Sequence, residues 1–474
     1  SLVQKAAGYG MEGVQIDGNN ILAVYDTIKG VREYCIKNQK PYLIECMTFR
    51  MRGHEEASGV KYVPKELFEE WQQKDPIKNY EDWLVQQNIL SPADIQNARD
   101  EIKIYTESEL QTANKADVIY PDTVEEVQDV YAGSRDNTQC LIDNSNIKFK
   151  PGNTSEKKFI HAISDGLKQS LEKHSNLILM GQDIAEYGGA FKVTEGFVEI
   201  FGKERVRNTP LCESAIVGAA LGLSLEGYKA MMEMQFADFS TVGFNQIINN
   251  LAKIHYRWGQ NADVVIRMPT GGGVGAGPFH SQSNEAWFAH TPGLKVVYPS
   301  SPIDAKGLMI AAINDPNPVL FFEHKALYRS VSGQVPDEYY EIEIGKARHV
   351  QQGEDITVIT YGAGVHWALD YSKNHPGTSL DILDLRSLLP LDYSAIKSAV
   401  GRTGKVLLLH EDSLTGGIGG EIAAWIGENC FDYLDAPVMR CASLDTPIPF
   451  NIELEKNFMA YSRLHEKIEK LMGY

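Results

Sequence analysis

Apolar and polar positions form three different patterns along the chain: alternation, helical spacing and short apolar runs. The changes between these patterns divide the chain into segments. Residues 13–17 alternate, residues 21–37 have helical spacing and residues 42–46 are apolar, which predicts strand, helix and strand. We expect this βαβ unit to stand without a larger sheet to join. Residues 62–115 are polar with helical spacing, and Ser91-Pro92-Ala93-Asp94 provides an N-cap and first turn.

From residue 158 onward, helical patterns alternate with short, apolar strand patterns. Such alternation predicts a parallel sheet with helices on both faces up to about residue 330, and a second α/β unit from residue 340 that closes with a helix after Pro449. The predicted strands are 177–180, 229–234, 264–267, 295–298, 319–322, 356–362, 380–385 and 406–410. Residues 132–157 are rich in Ser, Asn, Asp, Gly and Lys, which predicts a linker. The predicted domains are 1–131, 158–335 and 336–474.

Composition and charge narrow the class of protein. A chain of 474 residues with 43% hydrophobic and 23% charged residues is typical of a globular protein with several domains. The formal net charge of −18 argues against a nucleic-acid partner, which needs clustered Lys and Arg. The six cysteines have neither zinc-ligand nor disulfide-framework spacing, and no apolar run reaches membrane-span length, so we expect a reducing, cytoplasmic location.

Candidate chemistry begins with Glu213, a lone carboxylate at the start of an apolar stretch rich in glycine and alanine. By position alone, Glu213 is better explained as a first-turn acid favoured by the helix dipole. Downstream lie the segment 233–239 and the glycine-rich segment 270–283, which contains His280. The glycine-rich segment lacks the strand-to-helix context of a dinucleotide site and the Gly-Lys-Ser/Thr of a phosphate loop. A second glycine loop at 416–420 is interpreted as structural, and His410 and Glu411 as packing or interface residues.

Taken together, segments 209–218, 233–239, 270–283 and 285–290 resemble the β subunit of the thiamine-diphosphate-dependent 2-oxo acid dehydrogenases, the E1 components of multienzyme complexes. The first 130 residues resemble the C-terminal part of the α subunit of the same family, through 17–25, 42–45, 48–54 and 129–131. The resemblance implies an α/β fold. It comprises a partial α-subunit remnant, a parallel-sheet pyrimidine-binding domain of the transketolase type and an α/β domain like the transketolase C-terminal domain.

The resemblance assigns roles to residues of the β-like part. Glu213 is expected to bind the pyrimidine nitrogen N1′ of thiamine diphosphate in a dry pocket, where the hydrogen bond is strong. Phe239 is expected to stack on the pyrimidine, although many family members have Tyr there, and Leu211 and Gln235 are expected to line the same wall. His280 matches the active-site histidine that faces the substrate carboxylate or the incoming lipoyl sulfur.

Residues of the α-like part receive roles by the same resemblance. Arg50 is expected near the cofactor diphosphate, and His54 is expected to serve reductive acylation of the lipoyl group. Glu55-Glu56-Ala57-Ser58-Gly59 departs from mammalian relatives that carry a phosphorylatable Ser after this histidine, so regulation at that serine is not expected. The Gly-Asp-Gly motif of the Mg²⁺–diphosphate site is absent from the sequence. We therefore expect an α part that is truncated at its N-terminus, and a chain that is inactive alone.

The turn at 312–318 resembles the family turn that holds a monovalent cation, commonly potassium. Ala312, Asp315 and Asn317 are the candidate ligands, because carbonyl and side-chain oxygens suit a hard cation. An Asp-Pro-Asn-Pro turn without an ion explains the same residues equally well.

The function implied is that of an E1 component, which decarboxylates a 2-oxo acid and acylates the lipoyl group of an E2 acyltransferase. Branched-chain acids such as 3-methyl-2-oxobutanoate are favoured, and pyruvate and acetoin are the alternatives. We expect a homodimer equivalent to α2β2, with the lipoyl and subunit-binding domains of E2 as partners. A rival from another class is a non-catalytic scaffold that dimerises and docks E2. A third interpretation is a transketolase-like or deoxyxylulose-phosphate-synthase-like enzyme, which shares the two β-side domains. Such an enzyme would need basic residues for a sugar phosphate, and the segment around His54 resembles the dehydrogenases instead.

Overall fold

The computed structural model describes residues 1–55, 57, 59–133 and 153–474. They divide into two compact units, Ser1–Tyr120 and Pro121–Tyr474. The predicted domain boundary at residue 131 thus lies eleven residues beyond the end of the first unit.

The first unit contains a two-stranded parallel sheet and a set of helices. Its elements are a 3-10 helix (Val3–Tyr9), β1 (Glu12–Asp17), α1 (Ile21–Asn38), β2 (Tyr42–Met47), α2 (Lys65–Gln72), α3 (Pro76–Gln86) and α4 (Pro92–Asn114). The strand–helix–strand prediction for residues 13–46 is confirmed. Ser91 and Asp94 form a capping box at the start of α4, as the sequence predicts, and Asn20 caps α1 through its side-chain oxygen.

The first unit buries little of its own apolar surface. No residue of α1 to α4 is buried, and Ile102, Ile104, Tyr105 and Leu110 of α4 are more than half exposed. Apolar surface of this extent on a small unit is typical of a protein–protein contact face.

The second unit alternates helices and strands throughout. Its strands are β3 (Thr154–Lys158), β4 (Leu177–Gly181), β5 (Val206–Asn208), β6 (Lys229–Glu233), β7 (Val264–Thr270), β8 (Lys295–Val297), β9 (Val319–His324), β10 (Ser332–Pro336), β11 (Arg348–Gln351), β12 (Ile356–Thr360), β13 (Leu380–Asp384), β14 (Ser387–Leu389), β15 (Val406–Ser413) and β16 (Met439–Ser443). Each strand predicted from the apolar pattern is present.

The helices of the second unit cover its sheets. They are α5 (Thr123–Gln128), α6 (Phe159–Lys173), α7 (Phe197–Phe201), α8 (Glu213–Leu225), α9 (Ser240–Asn245), α10 (Ile254–Trp258), α11 (Glu285–Ala289), α12 (Pro302–Asn314), α13 (Leu327–Ser330), α14 (Ala363–Asn374), α15 (Tyr393–Thr403), α16 (Ile418–Asn429), α17 (Ile452–Phe458) and α18 (Leu464–Met472). A π-helical turn, Gln246–Leu251, follows α9. In the described part of the chain, no helix combines the length and apolarity that crossing a bilayer requires.

Two sheets form the centre of the second unit. The larger has seven strands in the order β14-β8-β9-β7-β6-β4-β5, parallel except for β14, and the smaller has the order β11-β13-β12-β15-β16, parallel except for β11. This confirms the predicted pair of α/β domains. Since β14 follows β13 in sequence but pairs with β8, the C-terminal domain contributes the edge strand of the larger sheet.

The structure corrects both ends of the predicted linker 132–157. Ala132 is buried and its backbone exchanges hydrogen bonds with the Asn317 side chain. Strand β3 pairs antiparallel with β10, and this pairing satisfies its backbone even though its side chains are polar. Residues 134–152, the middle of the predicted linker, lie outside the described residues.

A fully buried ion network joins three neighbouring strands of the larger sheet. Arg267 on β7 donates Nε and Nη2 to the two carboxylate oxygens of Glu323 on β9, each at 2.7 Å, and Nη1 to Glu233 on β6. The Tyr328 hydroxyl donates to Glu323 Oε2 at 2.7 Å. Burial raises the pKa of Glu233, and the charge of nearby Glu323 raises it further, against the opposing effect of Arg267.

A second buried network connects the two domains of this unit. Arg386, in the C-terminal domain, donates Nη1 to Asp304 Oδ1 of α12 at 2.9 Å, and Arg348 Nη2 lies 3.0 Å from the other oxygen of Asp304. Burial opposes ionisation of Asp304, but Arg348 and Arg386 outweigh it and hold the pKa of Asp304 below its ordinary value. The domains are thus fastened by charge as well as by β14.

Replacing Arg267 by methionine should destabilise the protein strongly, because it leaves the Glu323 carboxylate buried without a cation. We expect a loss of about 3–5 kcal/mol in the free energy of unfolding, measured by urea denaturation. The control is Arg207→Met on β5, whose partner Glu204 is 89% exposed and whose loss should cost at most about 1 kcal/mol. The double variant Arg267→Met/Glu323→Met should recover part of the loss. Equal effects of the two single variants would contradict this account.

Candidate functional site

The carboxyl ends of the parallel strands β4 to β7 meet at one edge of the larger sheet. Gln182 follows β4 directly, Glu213 comes after β5, Gln235 after β6, and the glycine-rich loop with His280 after β7. In open α/β sheets this edge is where ligands bind. The structure therefore brings Glu213, Gln235 and His280 to one edge of the sheet, whereas the predicted cation turn 312–318 precedes β9 and lies at the amino end of that strand.

Glu213 is the first residue of α8 and is held from one side. Gln182 Nε2 donates to Glu213 Oε1 at 3.0 Å, while the second carboxylate oxygen has no hydrogen bond within the described residues. Helix α9 packs closely on this turn, because a Cβ built on Gly243 would lie 3.5 Å from the Glu213 carbonyl oxygen. The carboxylate is thus oriented by Gln182 with one oxygen left for a ligand.

The sequence predicts a dry pocket for Glu213, but its side chain is only half-buried in the single chain. The reason lies in α8 itself, whose outer face consists of the exposed small residues Ala215, Gly218, Ala219 and Gly222. No described residue covers this face. Leu211, predicted to line the pocket, is likewise 80% exposed. Only a further protein surface or a ligand could exclude water here.

Aromatic side chains surround the predicted histidine. The ring of His280 meets Phe236 edge-on at 4.8 Å between centroids and Phe239 at 5.7 Å, and the two phenylalanines lie 5.6 Å apart. All three side chains are half-buried, as is Gln235. Phe236 was not singled out from the sequence, where an aromatic residue in Gln-Phe-Ala-Asp-Phe is typical of core.

A cavity of about 550 Å³ adjoins this aromatic cluster. Its lining combines apolar walls with two cationic side chains: Phe191, Phe236, Gly273, Val274, Ala276, Lys325, Ala326, Tyr328 and Arg329. Lys325 is buried, and burial lowers its pKa to about 8 although the surrounding carboxylates of Glu411, Asp238 and Glu455 favour its charged form. Lys325 gave no signal in the sequence, because only the fold places it beside Phe236.

Arg50 and His54, the site residues predicted in the α-like part, are exposed residues of the first compact unit. Their predicted roles at the diphosphate and in acyl transfer stay predictions. Of the segment 55–59 that departs from mammalian relatives, Glu56 and Ser58 lie outside the described residues.

The predicted cation turn binds the chain itself. Asp315 Oδ2 pairs with Lys295 Nζ at 2.5 Å, and Asp315 Oδ1 accepts from the backbone and side-chain nitrogens of Asn317, both at 2.9 Å. The Asn317 side chain also bonds the backbone of Ala132, at 2.8 Å to its nitrogen and 3.2 Å to its oxygen. Because these side chains are used, a cation here would depend on backbone carbonyls, including that of Ala312 near the end of α12.

Two buried carboxyl groups interact electrostatically where the domains of the second unit meet. Glu285 of α11 accepts from the Tyr361 hydroxyl at 2.7 Å, and burial, followed by the charge of Asp412, raises the pKa of Glu285 well above its ordinary value. Burial raises the pKa of Asp412, on β15, to about 6, although the backbone N–H of Ser413 donates to it. Both carboxyl groups therefore hold a proton more tightly than exposed carboxyl groups do.

Three family models match the chain in succession. "Dehydrogenase E1 component" matches residues 1–121, "Transketolase, pyrimidine binding domain" matches residues 155–331, and "Transketolase, C-terminal domain" matches residues 345–462. A solved structure described as "Split gene transketolase, inactive beta4 tetramer" has a TM-score of 0.54 and 22% identity, and the match covers 67% of this chain and 98% of that one. At this identity, the likeness establishes the fold alone.

Curated relatives are considerably more similar in sequence. The chain is 47% identical over 319 residues to the 2-oxoisovalerate dehydrogenase subunit beta of Bacillus subtilis, covering 66% of this chain and 97% of that one. It is 42% identical to the mitochondrial subunit of that name from Dictyostelium discoideum, covering 68% and 88%. It is also 42% identical to the pyruvate dehydrogenase E1 component subunit beta of Bacillus subtilis, covering 62% and 91%.

The buried acid pair predicts a pH dependence of stability. Because the pKa of Asp412 is raised to about 6 in the folded protein, from about 4 when unfolded, its contribution is greatest below about pH 4 and is lost as the pH rises to about 6. Asp412→Asn should remove this loss, since the amide oxygen still accepts from Ser413. Melting temperatures between pH 4 and 7 test this, with exposed Asp432→Asn as control. Parallel pH curves for Asp412→Asn and the unsubstituted protein would disprove it.

Proposed function

Because this chain belongs to the E1 family of thiamine-diphosphate-dependent 2-oxo acid dehydrogenases, with α-like and β-like parts in one polypeptide, we propose that it decarboxylates a 2-oxo acid and passes the acyl group to the lipoyl group of an E2 acyltransferase. The observation that carries the proposal is Glu213, which stands at the carboxyl edge of the sheet with one oxygen held by Gln182 and the other available. No structural role in the described chain uses that second oxygen.

The residues of the β-like part fit the pyrimidine half of thiamine diphosphate. An aminopyrimidine needs a carboxylate at N1′ and an apolar face, which Glu213 and the half-buried ring of Phe239 offer. When bound, the cofactor supplies the nucleophilic thiazolium carbon and the electron sink for decarboxylation. The diphosphate half requires Mg²⁺ ligands of the Gly-Asp-Gly type, which these 474 residues lack, and Arg50 is the residue we propose for it.

Each residue at the edge has one task in this proposal. Glu213 holds a proton at N1′, and Gln182 keeps the carboxylate from rotating away. Phe239 provides the stacking face without the hydroxyl of the tyrosine found in many relatives. His280, set edge-on between Phe236 and Phe239, directs its imidazole at the substrate carboxylate or the lipoyl sulfur. His54 serves the acyl transfer from the α-like part.

Assembly completes the site in this proposal. The exposed small-residue face of α8 allows close approach of another backbone, and burying it would remove water from Glu213. We propose a homodimer equivalent to α2β2 as that assembly, and the lipoyl and subunit-binding domains of E2 as its partners. Potassium at the 312–318 turn is part of the same proposal, limited to the backbone carbonyls.

The substrate we propose is a branched-chain 2-oxo acid. The cavity lined by Phe236 has the chemistry of such a molecule. Phe191, Val274 and Tyr328 suit an aliphatic side chain, while Lys325 and Arg329 suit a carboxylate. The Bacillus relative named for 2-oxoisovalerate supports this choice, and the pyruvate dehydrogenase relative keeps pyruvate as the alternative.

Glu213→Gln should slow decarboxylation strongly, because an amide cannot hold the proton at N1′. We expect kcat to fall by about 10²-fold or more in 2-oxo-acid-dependent dye reduction. The assay contains thiamine diphosphate, Mg²⁺ and an E1 α part with the Gly-Asp-Gly motif supplied in trans. The matched control is Glu226→Gln at the exposed C-terminal end of α8, which should retain full activity.

Two results would contradict the proposal. Activity of Glu213→Gln within twofold of the unsubstituted protein would remove Glu213 from the chemistry. A complemented protein that dimerises and binds E2 but never reduces the dye would instead support the non-catalytic scaffold.

In the same assay, kcat/KM should be higher for 3-methyl-2-oxobutanoate than for pyruvate. Ala276→Leu narrows the cavity, so it should lower kcat/KM for the branched acid by about tenfold and affect pyruvate less. Ala289→Leu, outside this cavity, serves as the control. A preference for pyruvate that Ala276→Leu leaves unchanged would reassign the substrate.

A further inference from the structure

The glycine-rich loop after β7 is bound by a carboxylate of the C-terminal domain. Glu455, in α17, accepts from the backbone N–H of Gly273 through Oε1 at 2.9 Å and from that of Gly275 through Oε2 at 3.0 Å. Its side chain is only 3% exposed. Hydrogen bonds to a buried charged acceptor are stronger than those between neutral groups, so this contact fixes the loop firmly.

A second carboxylate of the same domain secures both ends of the loop. Glu411 Oε1 accepts from the Gly272 N–H at 2.6 Å and from the Ser283 hydroxyl at 3.1 Å, while its Oε2 lies 2.5 Å from His324 Nε2. Burial would raise the pKa of Glu411, but His324, the Gly272 amide and the Ser283 hydroxyl outweigh it and hold that pKa low. Glu411 therefore remains an anionic acceptor.

Apolar residues next to Glu455 press on the same loop. A Cβ built on Gly272 would lie 2.6 Å from Ile448 Cδ1, and one built on Gly277 would lie 2.3 Å from the ring of Phe450. Gly277 also has φ +70°, which L side chains rarely adopt. These two glycines are thus required by contact with the segment that leads into α17.

His280 follows Gly277 by three residues, so the position of its imidazole depends on this contact. We infer that Glu455 is a positioning residue, which fixes His280 in the active site through the backbone of the glycine-rich loop. The inference rests on the function proposed for His280. It gives the C-terminal domain a task in the reaction, although Glu455 itself touches no reacting atom.

Loss of the carboxylate should release the loop without unfolding the domain. Glu455→Gln keeps the size of the side chain but replaces one acceptor oxygen with an NH₂ group that faces a backbone N–H. Since a displacement of about 1 Å at a catalytic group can cost about 10²-fold in rate, we expect kcat to fall at least about tenfold. The KM for thiamine diphosphate should stay within about twofold, because Glu213 is oriented by Gln182, which follows β4, and not by this loop.

The experiment compares Glu455→Gln with Glu453→Gln in the complemented enzyme. Glu453 lies on the same helix, but its side chain is 79% exposed and pairs with Lys456 at the surface. Three quantities are measured: kcat and KM, hydrogen exchange of the peptide covering 271–283, and the ¹³Cε1 resonance of His280 in histidine-labelled protein. Glu455→Gln should accelerate exchange in that peptide at least about tenfold and shift the His280 resonance, and Glu453→Gln should change none of the three.

Each outcome decides a different statement. Unchanged exchange and turnover in Glu455→Gln would overturn the inference, and so would faster exchange with unchanged kcat and an unmoved His280 resonance. If the unsubstituted enzyme never decarboxylates a 2-oxo acid, the proposed function fails, while exchange and the resonance still test the contact. Should Glu455→Gln not fold, Phe450→Ala tests the same contact, because Phe450 is 60% exposed and its truncation leaves the core intact.

Discussion

The carboxyl edge of the central sheet depends on one buried guanidinium. Arg267 bridges Glu233 on one neighbouring strand and Glu323 on the other, so three strands are tied just before their loops begin. An unpaired charge at this depth would lower the free energy of unfolding by several kcal/mol. Replacing any one of the three residues should therefore destabilise the sheet. The loop with Phe239 follows Glu233, the loop with His280 follows Arg267, and Lys325 follows Glu323 closely.

The C-terminal domain contacts the larger sheet and the glycine-rich loop at its carboxyl edge. It contributes β14 as the edge strand of the sheet, and its Arg386 pairs with Asp304. Its carboxylates Glu411 and Glu455 bind the glycine-rich loop. Buried acids therefore have two different uses at the domain boundary. His324 and the donors around Glu411 hold the pKa of Glu411 low, whereas burial raises the pKa values of Glu285 and Asp412.

The exposed face of α8 leaves Glu213 open to water in the single chain. Glu213 is oriented within the chain by Gln182, but its pocket is open along a face of alanine and glycine residues. The chain thus supplies the orientation of Glu213, whereas its dehydration is assigned to the proposed assembly. A carboxylate that must share a proton with a ring nitrogen needs both, because water competes for the same hydrogen bond.

The sequence by itself determined the two α/β domains and the strand–helix–strand start, and it singled out Glu213, Phe239 and His280 as candidates, because hydrophobic period and short motifs are local properties of a chain. The sequence does not predict polar edge strands such as β3, because backbone pairing and not the pattern of side chains makes them strands. Only the tertiary structure shows that Glu455 contacts the glycine-rich loop and that Lys325 lies beside Phe236. Glu455 lies 182 residues from Gly273 in sequence, and its contact is with backbone N–H groups, which leave no mark on residue type beyond the glycines themselves.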